Sequence, residues 1–156
     1  MKIKISSTIS ETVTVIFIIL FLYTGIDKIM DHLVFKEQIA ESPILAPVAS
    51  FAVILLPFFE LTTVLLLVVP RFRLKGLYVA LCLMLLFTGY IGAILCFDKH
   101  LPCSCGGLIS QLSWKQHLLF NSICIALNLV GIYAEKRVSE TKRKTLLTII
   151  ANDYAH

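Results

Sequence analysis

Long apolar runs separated by short polar connections dominate the chain, at about 11–30, 46–69, 76–97 and 114–133. Each is close to the ~20 residues that cross a hydrocarbon layer of about 30 Å. None shows the ten-residue alternation of a membrane β-barrel, and backbone amides in lipid have to bond within their own segment. The pattern therefore predicts four transmembrane helices in an all-α bundle. A buried core helix explains one such run but not four, because so little polar chain is left to cover them. The first run, preceded by Lys2 and Lys4, also has the outline of a signal peptide. Leu22-Tyr23-Thr24-Gly25 offers no small-x-small cleavage site, so it is read as the first membrane helix.

Composition agrees with this reading: of 156 residues, 58% are hydrophobic and 15% charged, far from a soluble average. Charge then orients the bundle. With four crossings, Lys2, Lys4, Arg71, Arg73, Lys75, Lys136, Arg137, Lys142, Arg143 and Lys144 fall on one side, and Lys28, Lys36, Lys99 and Lys115 on the other. The more basic side is expected to be cytoplasmic, which places both termini there. The formal charge of +4 thus reports topology, and no nucleic-acid motif accompanies it. Residues 1–134 are expected to form the membrane domain and 135–156 a basic cytoplasmic tail. That tail reads as a solvated topology signal, or as a short amphipathic helix on anionic lipid.

The most informative polar segment joins the third and fourth helices: Asp98-Lys99-His100-Leu101-Pro102-Cys103-Ser104-Cys105-Gly106-Gly107. On the extracytoplasmic side disulfides form and persist, so Cys103 and Cys105 are candidates for pairing or exchange. A bridge closed over one residue is strained and easily reduced. Cys96, seven residues earlier, is a candidate resolving thiol. Two other readings stay open: a static loop bridge, and a metal site drawn from His100, Cys103, Cys105 and His117. That spacing does not match the usual zinc patterns.

The fourth helix is expected to start near Trp114, because Ser113 and Gln116 fit a capping box. Along it His117, Asn121, Cys124, Asn128 and Gly131 recur at steps of four and three, on one inward face. Interhelical hydrogen bonds are expected for Asn121 and Asn128, and His117 is the candidate to assist thiol chemistry. On the third helix Cys82, Gly89, Ala93 and Cys96 form a companion stripe suited to close helix approach. Cys82 and Cys124 read as inert packing thiols. Glu60 is the outstanding intramembrane charge, about 21 Å below the outer end of the second helix at ~1.5 Å per residue. Asn128 is expected at similar depth, whereas Lys28 is expected to sit too near the outer surface to reach Glu60. Structural and proton-handling roles are both open for that carboxyl. Pro57, one turn earlier, is a candidate kink. The segment from Asp31 to Ala46 reads as the other outer loop.

The order of Gly25-Ile26-Asp27-Lys28, Pro57-Phe58-Phe59-Glu60, a basic turn and Cys103-Ser104-Cys105-Gly106-Gly107 resembles the MauE family of the DoxX-like superfamily, over about residues 13–134. The resemblance implies a bacterial inner-membrane protein that supports disulfide formation or maturation of an exported client, as in methylamine metabolism. Cys103 and Cys105 occupy the family's cysteine positions. A thioredoxin-like protein or a disulfide-containing client is the expected partner. No residue set marks a cofactor, and a membrane quinone is a candidate electron acceptor without an assigned site. The competing reading is a non-enzymatic membrane subunit or small-solute carrier, with Glu60 and the asparagine stripe lining a path and the cysteines fixing the loop.

Overall fold

The computed structural model describes residues 2–40, 46–97 and 114–153, and every regular element among them is helical. The elements are α1 (Lys2–Met30), α2 (His32–Ala40), α3 (Ala49–Val68), α4 (Arg73–Phe97) and α5 (Trp114–Asp153), with a 3-10 turn at Ala46–Val48 ahead of α3. Four of these helices, α1, α3, α4 and α5, are long and apolar enough to cross a membrane. The expected α5 start at Trp114 is observed.

Three boundaries differ from those the apolar runs suggest. α1 begins at Lys2 instead of near residue 11, because Ser6, Ser7 and Thr8 continue a helix already nucleated by the apolar segment. The stretch after Met30 is a bent continuation: Asp31 N–H still donates to Asp27 O and Phe35 N–H to Asp31 O, and α2 follows where a loop was expected. α5 runs unbroken past residue 134 to Asp153, through a polar stretch of good helix formers, so it extends about 60 Å.

The four long helices form a closed ring in which α1 packs on α3 and α5, and α4 packs on α3 and α5. Val13, Phe17 and Phe21 of α1 meet Val64 and Leu67 of α3, Leu77, Ala80, Leu83 and Met84 of α4, and Cys124 and Ile132 of α5 in one core. α2 lies against α3 at the end carrying the α4–α5 connection, where Phe35 and Ile39 cover Ala49 and Ala52. That end is called the loop end below. The opposite end, with the α3–α4 turn and the start of α1, is the tail end. α3 continues through Pro57 as a single helix.

Two glycines set the close approaches. A Cβ at Gly131 would stand 2.6 Å from Val13 Cγ1, and one at Gly76 would stand 3.0 Å from the backbone nitrogen of Leu67. The expected stripe on α4 does not serve this purpose: Cys82 and Cys96 are exposed, and a Cβ on Gly89 would meet nothing within 4 Å. Cys82 therefore lies on the bundle surface and not in its core. Gly131→Ala is expected to destabilise the protein by about 1–2 kcal/mol through overpacking. Val13→Ala in the same chain should recover most of that loss, as read by denaturation of the purified protein in detergent.

Candidate functional site: a charged pair inside the bundle

α1 and α5 run antiparallel, and two contacts fix their register. Val13 faces Gly131, and the Ser10 hydroxyl donates to Glu135 Oε2. The α1–α3 register is fixed where Gly25 approaches the Glu60 side chain, a built Cβ lying 3.5 Å from Glu60 Cβ. Gly25 appears here for want of a side chain, since Leu61 is also close.

This register overturns the expected separation of Lys28 and Glu60. Lys28 Nζ stands 2.9 Å from Glu60 Oε1 and 3.2 Å from Oε2, and also donates to Thr24 O at 3.2 Å. Lys28 is only one helical turn beyond Gly25, and a lysine stem of about 6 Å covers that rise. α1 ends sooner than α3 at the loop end, and α2 fills the difference. The ammonium consequently lies under a roof, with the Phe35 ring centroid of α2 5.6 Å away. Glu60 is 1% exposed and the Lys28 side chain 17%. The Thr24 hydroxyl, on the same turn, donates to Phe21 O at 3.4 Å. A charge this deep persists only when paired and hydrogen-bonded, and both conditions are met.

His117, half-buried on α5, stands at about the level of Lys28: it is fourteen residues from Gly131, and Lys28 is fifteen from the facing Val13. Its stripe continues inward as expected, with Asn121, Cys124 and Asn128 all buried. Among the described residues, no interhelical hydrogen bond of the kind expected of these amides is found. Neither polar atom of the Asn128 side chain has a partner among the described residues, nor does Asn121 Nδ2. Nor is Asn128 at the depth of Glu60: Gly25, beside Glu60, is twelve residues from Val13, whereas Asn128 is three from the facing Gly131, a difference of nine residues or about 14 Å along the bundle.

At the tail end the same face carries a second cluster. Glu135 accepts the Ser10 hydroxyl and lies 3.8 Å from Arg73 Nη1, linking α1, α4 and α5. Thr14 Oγ1 donates to Ser10 O at 2.7 Å. Sequence reasoning missed these residues, although Glu135 follows Asn128 at the same seven-residue step that separates Asn128 from Asn121.

Cys96 is an exposed thiol near the loop end of α4. His100, Cys103 and Cys105, the residues of the expected exchanging pair and of its metal alternative, lie outside the described residues. Among the described residues, no three His, Cys, Asp or Glu side chains group as metal ligands.

The fold and site define a four-helix membrane protein with a charged pair sealed inside its bundle, and a cysteine-bearing connection beyond the end where that pair lies. The family model described as methylamine utilisation protein MauE matches residues 6–134, and the chain belongs to the MauE family. No match is found among the curated proteins or among the solved structures.

Proposed function

We propose that this protein is a membrane thiol–disulfide redox protein that supports disulfide formation in, or maturation of, an exported client. Cys103 and Cys105 are its exchanging pair. The observation that carries the reading is the Cys-x-Cys element between α4 and α5, in a chain matching the MauE family, adjoining the end of the bundle that holds Lys28, Glu60 and His117. The basic residues of the α3–α4 turn and of α5 beyond residue 134 favour a cytoplasmic tail end in a bacterial inner membrane. The cysteines then face the oxidising compartment.

In this reading, the thiolate of one cysteine attacks a disulfide of a thioredoxin-like partner or client. A mixed disulfide forms as one partner thiolate leaves, and the second cysteine displaces the other. The protein gains a disulfide and the partner two thiols. In the opposite direction, a client dithiol is oxidised and two electrons and two protons pass to the Cys103–Cys105 pair. His117 accepts or returns a proton at the loop end, and Cys96 resolves mixed disulfides.

The test is thiol trapping in intact cells with a membrane-impermeant alkylating reagent, before and after mild reductant, with Cys103 and Cys105 replaced singly by serine. The pair is expected to be oxidised at rest and readily reduced, and each single variant to accumulate a mixed disulfide. Two free, unreactive thiols, or a bridge that resists reduction, would sink the redox reading in favour of a structural or metal-binding loop. Cys96→Ser should slow resolution of the trapped species by about an order of magnitude, a thiol-exchange rate effect. An unchanged rate removes Cys96 from the relay.

A further inference from the structure

Asn121 and Asn128 are 3% and 0% exposed, and three of their four side-chain polar atoms have no hydrogen-bond partner among the described residues. Each such group left unpaired in a protein interior is destabilising, because it gives up its bonds to water and gains none in return. Leucine at either position would avoid that cost, yet the chain carries two amides one heptad apart on the same face. Cys124, a short side chain that is also buried, lies between them. Beyond Asn121 the face reaches His117 and the Lys28–Glu60 pair, and beyond Asn128 it reaches Glu135, Ser10 and Arg73. Polar groups thus recur along the interior of the bundle from one charged cluster to the other.

Water satisfies such atoms where protein does not, and a buried water commonly makes 2–4 hydrogen bonds to them. We propose that the Asn121–Asn128 face binds a file of water molecules joining the Lys28–Glu60 pair to the Glu135–Ser10–Arg73 cluster, and that protons pass along it. Asn121 and Asn128 stand one heptad, about 10 Å, apart, a span that about three waters bridge at hydrogen-bond spacing. The whole run from His117 to Glu135 is eighteen residues, about 27 Å, so the file continues beyond each amide to its cluster. Each amide both donates and accepts, so a file anchored on them can carry a proton in either direction. Uptake at one carboxylate is matched by release at the other, with no net chemistry inside the bundle. The site stands independently of what the cysteine loop does.

Hydroxyl radicals made in place by a microsecond X-ray pulse oxidise side chains beside bound water. The full-length protein in nanodiscs is irradiated and oxidation is read by peptide mass spectrometry at Cys124 and at Phe17, with Leu67 and Leu77 as equally enclosed apolar controls. Oxidation of Cys124 and Phe17 should fall about fivefold or more in the N121L/N128L chain once its waters are lost. The single substitutions provide the same reading if the double variant does not fold. In liposomes loaded with a pH-sensitive dye, the unsubstituted protein should dissipate an imposed proton gradient faster than N121L/N128L. Equal footprints overturn the water file, and a lost footprint with equal dissipation overturns the proton route. A C103S/C105S chain should keep both signals, which separates failure of this site from failure of the thiol reading.

Discussion

Lys28→Met is expected to lower the stability of the protein by about 3–5 kcal/mol, the range for breaking a buried ion pair from one side. Methionine preserves most of the apolar stem of lysine, so packing against α3 and the Phe35 ring survives. The loss falls on Glu60, whose carboxylate, 1% exposed, would be left without its counter-ion. Glu60→Gln from the other side should cost less, because the ammonium is partly exposed and keeps its bond to Thr24 O. The K28M/E60Q chain, with neither charge to bury, should recover most of the loss. The two changes are then strongly non-additive in a double-mutant cycle. Unfolding of the purified protein in mixed detergent, followed by circular dichroism, measures all four species. Additive single effects would show that the pair is solvated and the bundle open at that level. The same double variant separates structure from function: a stable K28M/E60Q protein with slowed disulfide exchange assigns the pair a part in proton handling, and one with normal exchange leaves it a structural pin.

The four crossings are legible in the chain because the physics of a spanning segment is local. Length, apolarity and backbone satisfaction are properties of each segment alone, and all four segments are observed as helices. What fails is reasoning that requires one helix to be placed beside another. Measuring Lys28 and Glu60 each from its own helix end puts them out of reach of one another, but it assumes that α1 and α3 finish at the same height. They do not, since Gly25 sits beside Glu60 and α2 fills the remaining rise. The small-residue stripe of α4 has the spacing of a packing seam, yet the seams form at Gly76 and Gly131, because a helix carries several small-residue lines and only the partner decides which is used. The inward face of α5 is legible in the sequence as far as Gly131, where its apolar residues end. Apolarity marks the part of a helix that lipid or core can hold, whereas helix formation continues as long as the residues tolerate it. Extending the seven-residue step once more reaches Glu135 without any structure.

Glu135→Leu is accordingly expected to cost about 3 kcal/mol, as the removal of one partner from an enclosed charged cluster. Arg73 bears that loss. Its side chain is 21% exposed, its Nε has no partner among the described residues, and Glu135 is the carboxylate with which its guanidinium forms an ion pair. Leucine also strands the Ser10 hydroxyl, which is 1% exposed and donates to the carboxylate. Arg73→Leu in the same chain should restore much of the stability, whereas Ser10→Ala should restore little, because the guanidinium is the costlier group to leave unpaired. Lys142, Arg143 and Lys144, farther along α5, stand in open solvent, and converting any one of them to glutamine should change stability by less than about 0.5 kcal/mol. Denaturation of the five chains under one condition distinguishes these outcomes. If Glu135→Leu is no worse than the solvent-facing changes, the cluster is a surface contact and α5 is free to move relative to α1 at the tail end. If it is worse by the expected margin, the tail end of the bundle is closed by a polar clasp. The unbroken helix beyond it is then a rigid extension of the membrane domain, and not a tail hung from it.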